Sequence, residues 1–421
     1  LLIADGRQVG LFAGGAGTRV ELVRSVVRGI VPIVGLNRRS VGVSVEEMAA
    51  LTATDMVIAE NTDTGLFARD HSEVGLERCV IRDNQLNPSF QNRSYGVGAV
   101  TAARLRASRT LIADHLIGVV VDGDGSRVEL ANSIVRGAPV HPDDPQIRGR
   151  GVIVQPGAEL YAERAVIEGT EEAGVVIGGQ GARATLNASV IRAIRPNLGN
   201  TFGRGLSVQD GAQVTVAGLL VEGVYEAGVF ASDEGTLVTA RDLLIRDVRP
   251  NARSLGVGVF MMGGARLTQG ERVAIRSVMG AGIIAVTQGG ATATRADVRD
   301  LLVRGVRSST VRFSEEGSTI TPVGSTVAYG LHADALSAIN ATRAEISEGD
   351  YGLYNAGGLV CVRQGVIAAQ RVSAGAVDLA TPDAATTLSD VAFVHNARDT
   401  ITRHSDLPTA SSLPPPPPIQ P

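Results

Sequence analysis

The chain has 421 residues and a formal net charge of −4, a balance that gives no reason to expect a nucleic-acid partner. Every basic side chain is arginine, tryptophan is absent and aromatic residues make up 3%, a thin supply for gripping sugars by ring stacking alone. No apolar run is long enough to cross a membrane as a helix.

From the first residues onward the chain reads as one short unit repeated. Leu1 to Asp5 look like the end of a unit, as if a leader or further repeats had preceded them. The clearest copy runs from Gly151 to Gly169 and predicts three short strands, at 152–154, 160–162 and 166–167. Pro156-Gly157 supplies the turn after the first strand, and Glu159-Leu160-Tyr161-Ala162 alternates outward and inward with period 2. Such a unit cannot bury its own apolar side and must stack on copies of itself.

An anchor glycine opens each of about fourteen units, from Gly10 and Gly42 through Gly151 and Gly174 to Gly352 and Gly375. Spacings of 22 to 24 alternate with spacings of 30 to 33 through most of the chain, so the underlying repeat is a pair of units. The additional residues fall at one place, after the third strand: 30–41, 85–95, 138–150, 193–204, 248–257 and the longer 306–329. These loops should line one edge at alternate coils. The expected domains are 1–398 for the repeat array and 399–421 for a proline-rich tail or linker. Cys79 and Cys361 lie about ten coils apart, about 48 Å at the spacing of stacked strands, which excludes a disulfide between them.

Three short strands in 22 to 24 residues, repeated in this way, resemble the right-handed parallel β-helices of the pectin-lyase-like superfamily. The resemblance covers about residues 1–397 and implies an all-β solenoid. It selects no activity, because that superfamily holds lyases, hydrolases, epimerases and adhesins. Asn61-Thr62-Asp63 resembles an element of polygalacturonases, whose paired aspartates act as acid and base. The companion Asp-Asp about one coil on, the Gly-His-Gly and the Arg-Ile-Lys elements are all missing, so the tripeptide reads as a turn. Asp122-Gly-Asp-Gly125 is the best calcium-like sequence and also reads as an ordinary turn. No metal site and no cofactor are expected.

Two arginine series stand apart. Arg136, Glu168, Arg192, Glu222 and Arg246 end third strands with alternating sign and predict a cross-strand charge ladder. The second series lies in the inserted loops and supplies the candidate ligand-binding edge: Asn92, Arg93, Arg148, Arg195, Asn197, Arg204, Asn251 and Arg253. Guanidinium forks along one edge suit the carboxylate or sulfate groups of an acidic polysaccharide.

The first strand carries apolar residues on its outward side as well, at Phe12, Phe67, Val120, Ile153 and Val176, then at Phe230, Phe260, Ile284 and Tyr354. A sheet apolar on both faces is covered on both. The cover is the chain's own loops or a partner chain. In the second case Phe230, Phe260, Ile284 and Tyr354 form the interface, with the end near Tyr354 the most exposed. The sequence therefore reads as a non-catalytic β-helix of the bacterial exterior or envelope, binding acidic polysaccharide or another protein. A polysaccharide lyase or related sugar-active enzyme is the alternative.

Overall fold

The structure, a computed structural model, describes residues 1–33, 39–86, 94–137, 149–252, 256–287, 292–308, 328–334, 336–371 and 385–397, with the backbone alone of 313–316, 319–322, 373–377 and 401–403. The chain divides into two compact units, Leu1–Leu198 with Ala212–Val214, and Gly199–Gly211 with Thr215–Pro421. Each is a right-handed parallel β-helix, built from strands that pair in parallel and in register with the equivalent strand of the next coil. The exception among described strands is one antiparallel pair, Phe313–Glu316 with Thr319–Pro322.

In the first unit the inward residues of successive third strands stack as Val27, Ile58, Ile81, Ile112, Val135, Ile167 and Ile191, all fully buried. In the second unit Ile245, Ile275, Val303, Ile346 and Ile367 form the same kind of column. Each buried aliphatic side chain contributes about 1.5–3 kcal/mol relative to exposure, which is why identical faces must stack. The anchor glycine is dictated by the same packing. A Cβ on Gly151 would lie 2.5 Å from the Gly174 carbonyl oxygen and 2.5 Å from Ile167 Cγ2.

The corner between second and third strands is a single residue in the left-handed region. In the first unit it is Arg24, Asp55, Arg78, Arg109, Asn132, Arg164 and Ala188 in successive coils. In the second, Asp242, Arg272, Asp300, Arg343, Gln364 and Asp390 follow one another. This conformation turns the chain without losing a ladder hydrogen bond. The Asp55 N–H donates to the Glu77 carbonyl, that of Arg78 to Ser108, and that of Arg109 to Ala131. In the second unit the bend is gentle enough that the two strands run on as one, as in Leu237–Arg249 and Arg266–Val278.

One boundary differs from the sequence reading. A further strand, Ile401–Arg403, pairs in parallel with Ser373–Val377, so the array passes the expected end at 398. The proline-rich segment from 404 lies outside the described residues.

Candidate functional site

The charge ladder forms where the third strands end. In the first unit Glu168 is in register with Arg136 on one side and Arg192 on the other. It accepts from Arg136 Nε at 2.9 Å and Nη2 at 2.7 Å, and from Arg192 Nε at 2.8 Å. Burial alone would push the Glu168 carboxyl up, but the hydrogen bonds from both arginines outweigh it and hold it below the usual range. In the second unit Arg246 Nε donates to Glu222 at 2.7 Å.

A second ladder, missed in the sequence, runs along the left-handed corners. Arg78 grips Asp55 through Nε at 2.8 Å and Nη2 at 3.1 Å. In the second unit Arg272 grips Asp242 and Arg343 grips Asp300. Hydrogen bonds from these arginines hold Asp55, Asp242 and Asp300 below the ordinary aspartate value. Arginine is a poor marker of left-handed backbone, so only the recurrence of Arg or Asp two residues before most third strands could have revealed this column.

The loop edge is organised differently from the sequence expectation. Arg204 is half-buried against its own unit. Its Nε donates to Glu226 at 2.7 Å, and its guanidinium lies 3.5 Å from the centre of the Phe230 ring. Asn251 is buried, donating to Glu226 at 3.1 Å and to the Phe202 carbonyl at 2.9 Å. Arg150 repeats the first arrangement one repeat pair earlier, on Glu172 at 3.1 and 3.3 Å. Arg39 likewise lies 5.7 Å from the rings of Phe67 and Tyr95. Arg204 and Asn251 thus share the Glu226 carboxylate and lie over the first-strand sheet, with Arg204 against the Phe230 ring. Arg195 is exposed and only 3.9 Å from Glu171, and Asn197 is half-buried. Asn92, Arg93, Arg148 and Arg253 lie outside the described residues.

That cover also decides the apolar outward column. Phe230 and Ile284 are 5% and 6% exposed, so neither is a free docking surface. Phe230 meets Phe260 edge-on with centroids 5.6 Å apart. Val257, Ala281 and Ile284 form a small second core outside the sheet, with Phe260 and Tyr329 packed on it. Tyr354 is half-buried, 4.8 Å from the Tyr329 ring and 5.0 Å from His332. Among the described members of the column the most exposed is Phe12, at 60%, rather than the end near Tyr354. The physical reason is that rings in successive coils shield one another.

The polygalacturonase-like and calcium-like motifs are both turns. Asn61 and Asp63 are fully buried; Asn61 Oδ1 accepts the Ile30 N–H at 3.1 Å, and Asn84 repeats the bridge one coil on by accepting the Asn61 N–H at 3.3 Å. His115 occupies the next step of this interior column, its Nε2 3.1 Å from the Ile81 carbonyl oxygen. Burial pushes its pKa down to about 4. In Asp122-Gly-Asp-Gly125 both glycines adopt positive φ, as a tight turn requires. Among the described residues no three His, Cys, Asp or Glu side chains converge as metal ligands would. No helix of the described residues is long and apolar enough to cross a membrane.

These columns define an all-β solenoid whose outer surface is set by in-register arginine–carboxylate pairs. No family model matches the chain, and no curated protein matches it. Among solved structures it is similar to the periplasmic alginate epimerase AlgG, with a TM-score of 0.40 and 12% identity over 88% of this chain and 77% of that one. It is also similar to the tailspike protein of E. coli bacteriophage HK620 in complex with a pentasaccharide, at 0.37 and 9% over 88% and 70%. The alginate lyase AlyF-OU02 in complex with G6 gives 0.32 and 9% over 93% and 82%. Similarity at this level carries no inference about activity or ligand.

Proposed function

We propose that this protein is a non-catalytic recognition scaffold of the bacterial exterior or envelope, and that its ligand is an acidic polysaccharide. One observation carries the reading: Asp55, Glu168, Asp242 and Asp300 on the outer surface are engaged as partners of arginine, while among the described residues Arg104 and Arg276 are exposed and make no ion pair. Asp55, Glu168, Asp242 and Asp300 are held ionised by guanidinium groups, which suits a rigid surface and not a proton donor working near neutral pH. Arg246, Arg276 and Arg304 sit in register on three adjacent strands. The outer two bind Glu222 and Glu348. Arg276 between them is exposed and pairs with no carboxylate among the described residues. A free fork of five donors between two other cations is matched by an oxyanion presented from outside.

Affinity electrophoresis of the full chain through gels containing polygalacturonate, alginate or neutral dextran tests this. Retardation in the acidic gels alone, weakening with added salt, is the expected result. Equal migration in all three would refute it, and release of unsaturated sugars from the acidic polymers would establish the enzyme alternative in its place.

A further inference from the structure

A shallow groove of about 370 Å³ opens on the second-strand face of the first unit. We infer that it is a binding subsite for a uronate residue of an acidic oligosaccharide, an assignment that rests on the recognition reading above. Its walls come from three adjacent coils in parallel register. Arg104 is opposite Arg127, which is opposite Glu159; one step along, Arg106 is opposite Glu129. Like charges directly opposite are unfavourable, and the groove resolves this one by chelation. Arg127 donates to Glu129 at 2.9 Å and to Glu159 at 3.4 Å, and Arg106 lies 3.2 Å from the other Glu129 oxygen.

Three guanidinium groups thus face two carboxylates, and the group left over is Arg104. It is exposed and makes no ion pair among the described residues, Glu73 included, although Glu73 is in register on its other side. The turns that bound the groove carry Gly125 and Gly157, both at positive φ and both among its lining residues, and the Asp124 carboxylate lies against Gly157 at the edge. Glu159 is 45% exposed and among the described residues holds only the long contact to Arg127, which leaves acceptor capacity for sugar hydroxyls. The exposed Arg104 guanidinium, the carboxylate acceptors and an open, polar floor fit a sugar carrying a single carboxylate and several hydroxyls. A sulfate ester shares the charge but not the planar geometry that matches a guanidinium fork.

The test is calorimetric titration of the full chain with an oligogalacturonate, a sulfated dextran oligomer and neutral dextran. Arg104→Ala is compared with Arg78→Ala, which removes an equal charge from a corner of the same unit. We expect the wild type to bind the uronate oligomer more tightly than the sulfated one and to ignore dextran. Arg104→Ala should weaken uronate binding about tenfold, as loss of a charge-assisted hydrogen bond does, with Arg78→Ala unchanged and both variants folded by circular dichroism. Uronate binding that survives Arg104→Ala, or falls equally in both variants, would overturn the subsite and leave the recognition reading to other arginines. Preference for the sulfated oligomer would overturn the uronate assignment. A wild type that binds neither acidic oligomer removes the recognition reading together with the subsite.

Discussion

His115 gives the sharpest quantitative handle on the interior of the first unit. It is fully buried, its Nε2–H donates to the Ile81 carbonyl, and its Nδ1 has no hydrogen-bond partner among the described residues. Protonation would create a second N–H facing no acceptor in an apolar interior. Burial accordingly drives the pKa from 6.5 to about 4, with the Ile81 carbonyl and Asp83 opposing it only in part. The folded state resists a proton that the unfolded chain accepts. Stability is therefore complete above the unfolded value, declines as pH falls through 6.5, and levels off below about 4. A shift of about 2.5 units is worth about 3 kcal/mol at 1.36 kcal/mol per unit. His115→Asn places in this coil the residue that Asn84 already provides in the preceding one, where it bonds the Tyr95 carbonyl. Urea unfolding across that pH window should show the wild type losing about 3 kcal/mol more than the variant, whatever their difference at neutral pH. Parallel curves for the two proteins, or an NMR titration placing His115 near 6.5 in the folded chain, would refute the reasoning.

Three further outcomes follow from the same packing. Glu168→Gln leaves Arg136 and Arg192 flanking a neutral side chain and should cost about 1 kcal/mol; the cost should shrink in high salt, and a salt-independent loss would point to packing instead. Arg204→Ala strips the buried Glu226 of its main partner and uncovers Phe230, so the denaturation midpoint should fall by the equivalent of about 3 kcal/mol. If that variant were as stable as the wild type but bound acidic polymer less well, Arg204 would be a ligand residue after all. Gly151→Ala forces a Cβ against the Gly174 carbonyl and Ile167 and should destabilise by about 3 kcal/mol or more, whereas alanine at Gly17, where no heavy atom lies within 4 Å, meets only the cost of its positive φ.

The coil was legible in the sequence because its cause is local and repeated. Glycine stands where a Cβ would meet the next coil's backbone, and Val, Ile and Leu recur at the inward positions of each strand. The ladder of Arg136, Glu168 and Arg192 was legible for the same reason, since register fixes neighbours. The loop edge was not. Whether Arg204 points outward or folds over Phe230 depends on Glu226 and Asn251, which lie 22 and 47 residues away. The groove at Arg104 was hidden by a different feature. Arg127 and Glu129 are two apart in one strand, yet Arg127 also reaches Glu159 across the coil. Pairing within and between coils leaves one cation over, a remainder that composition does not reveal.

The proposed scaffold holds an acidic polysaccharide without transforming it. The most direct measurement incubates the full chain with an oligogalacturonate of defined length, separates the complex, and determines the mass of the recovered sugar. Co-elution with the protein and return of the oligosaccharide at its original mass is the predicted result. A recovered sugar that is shortened, unsaturated or never retained would overturn the scaffold proposal.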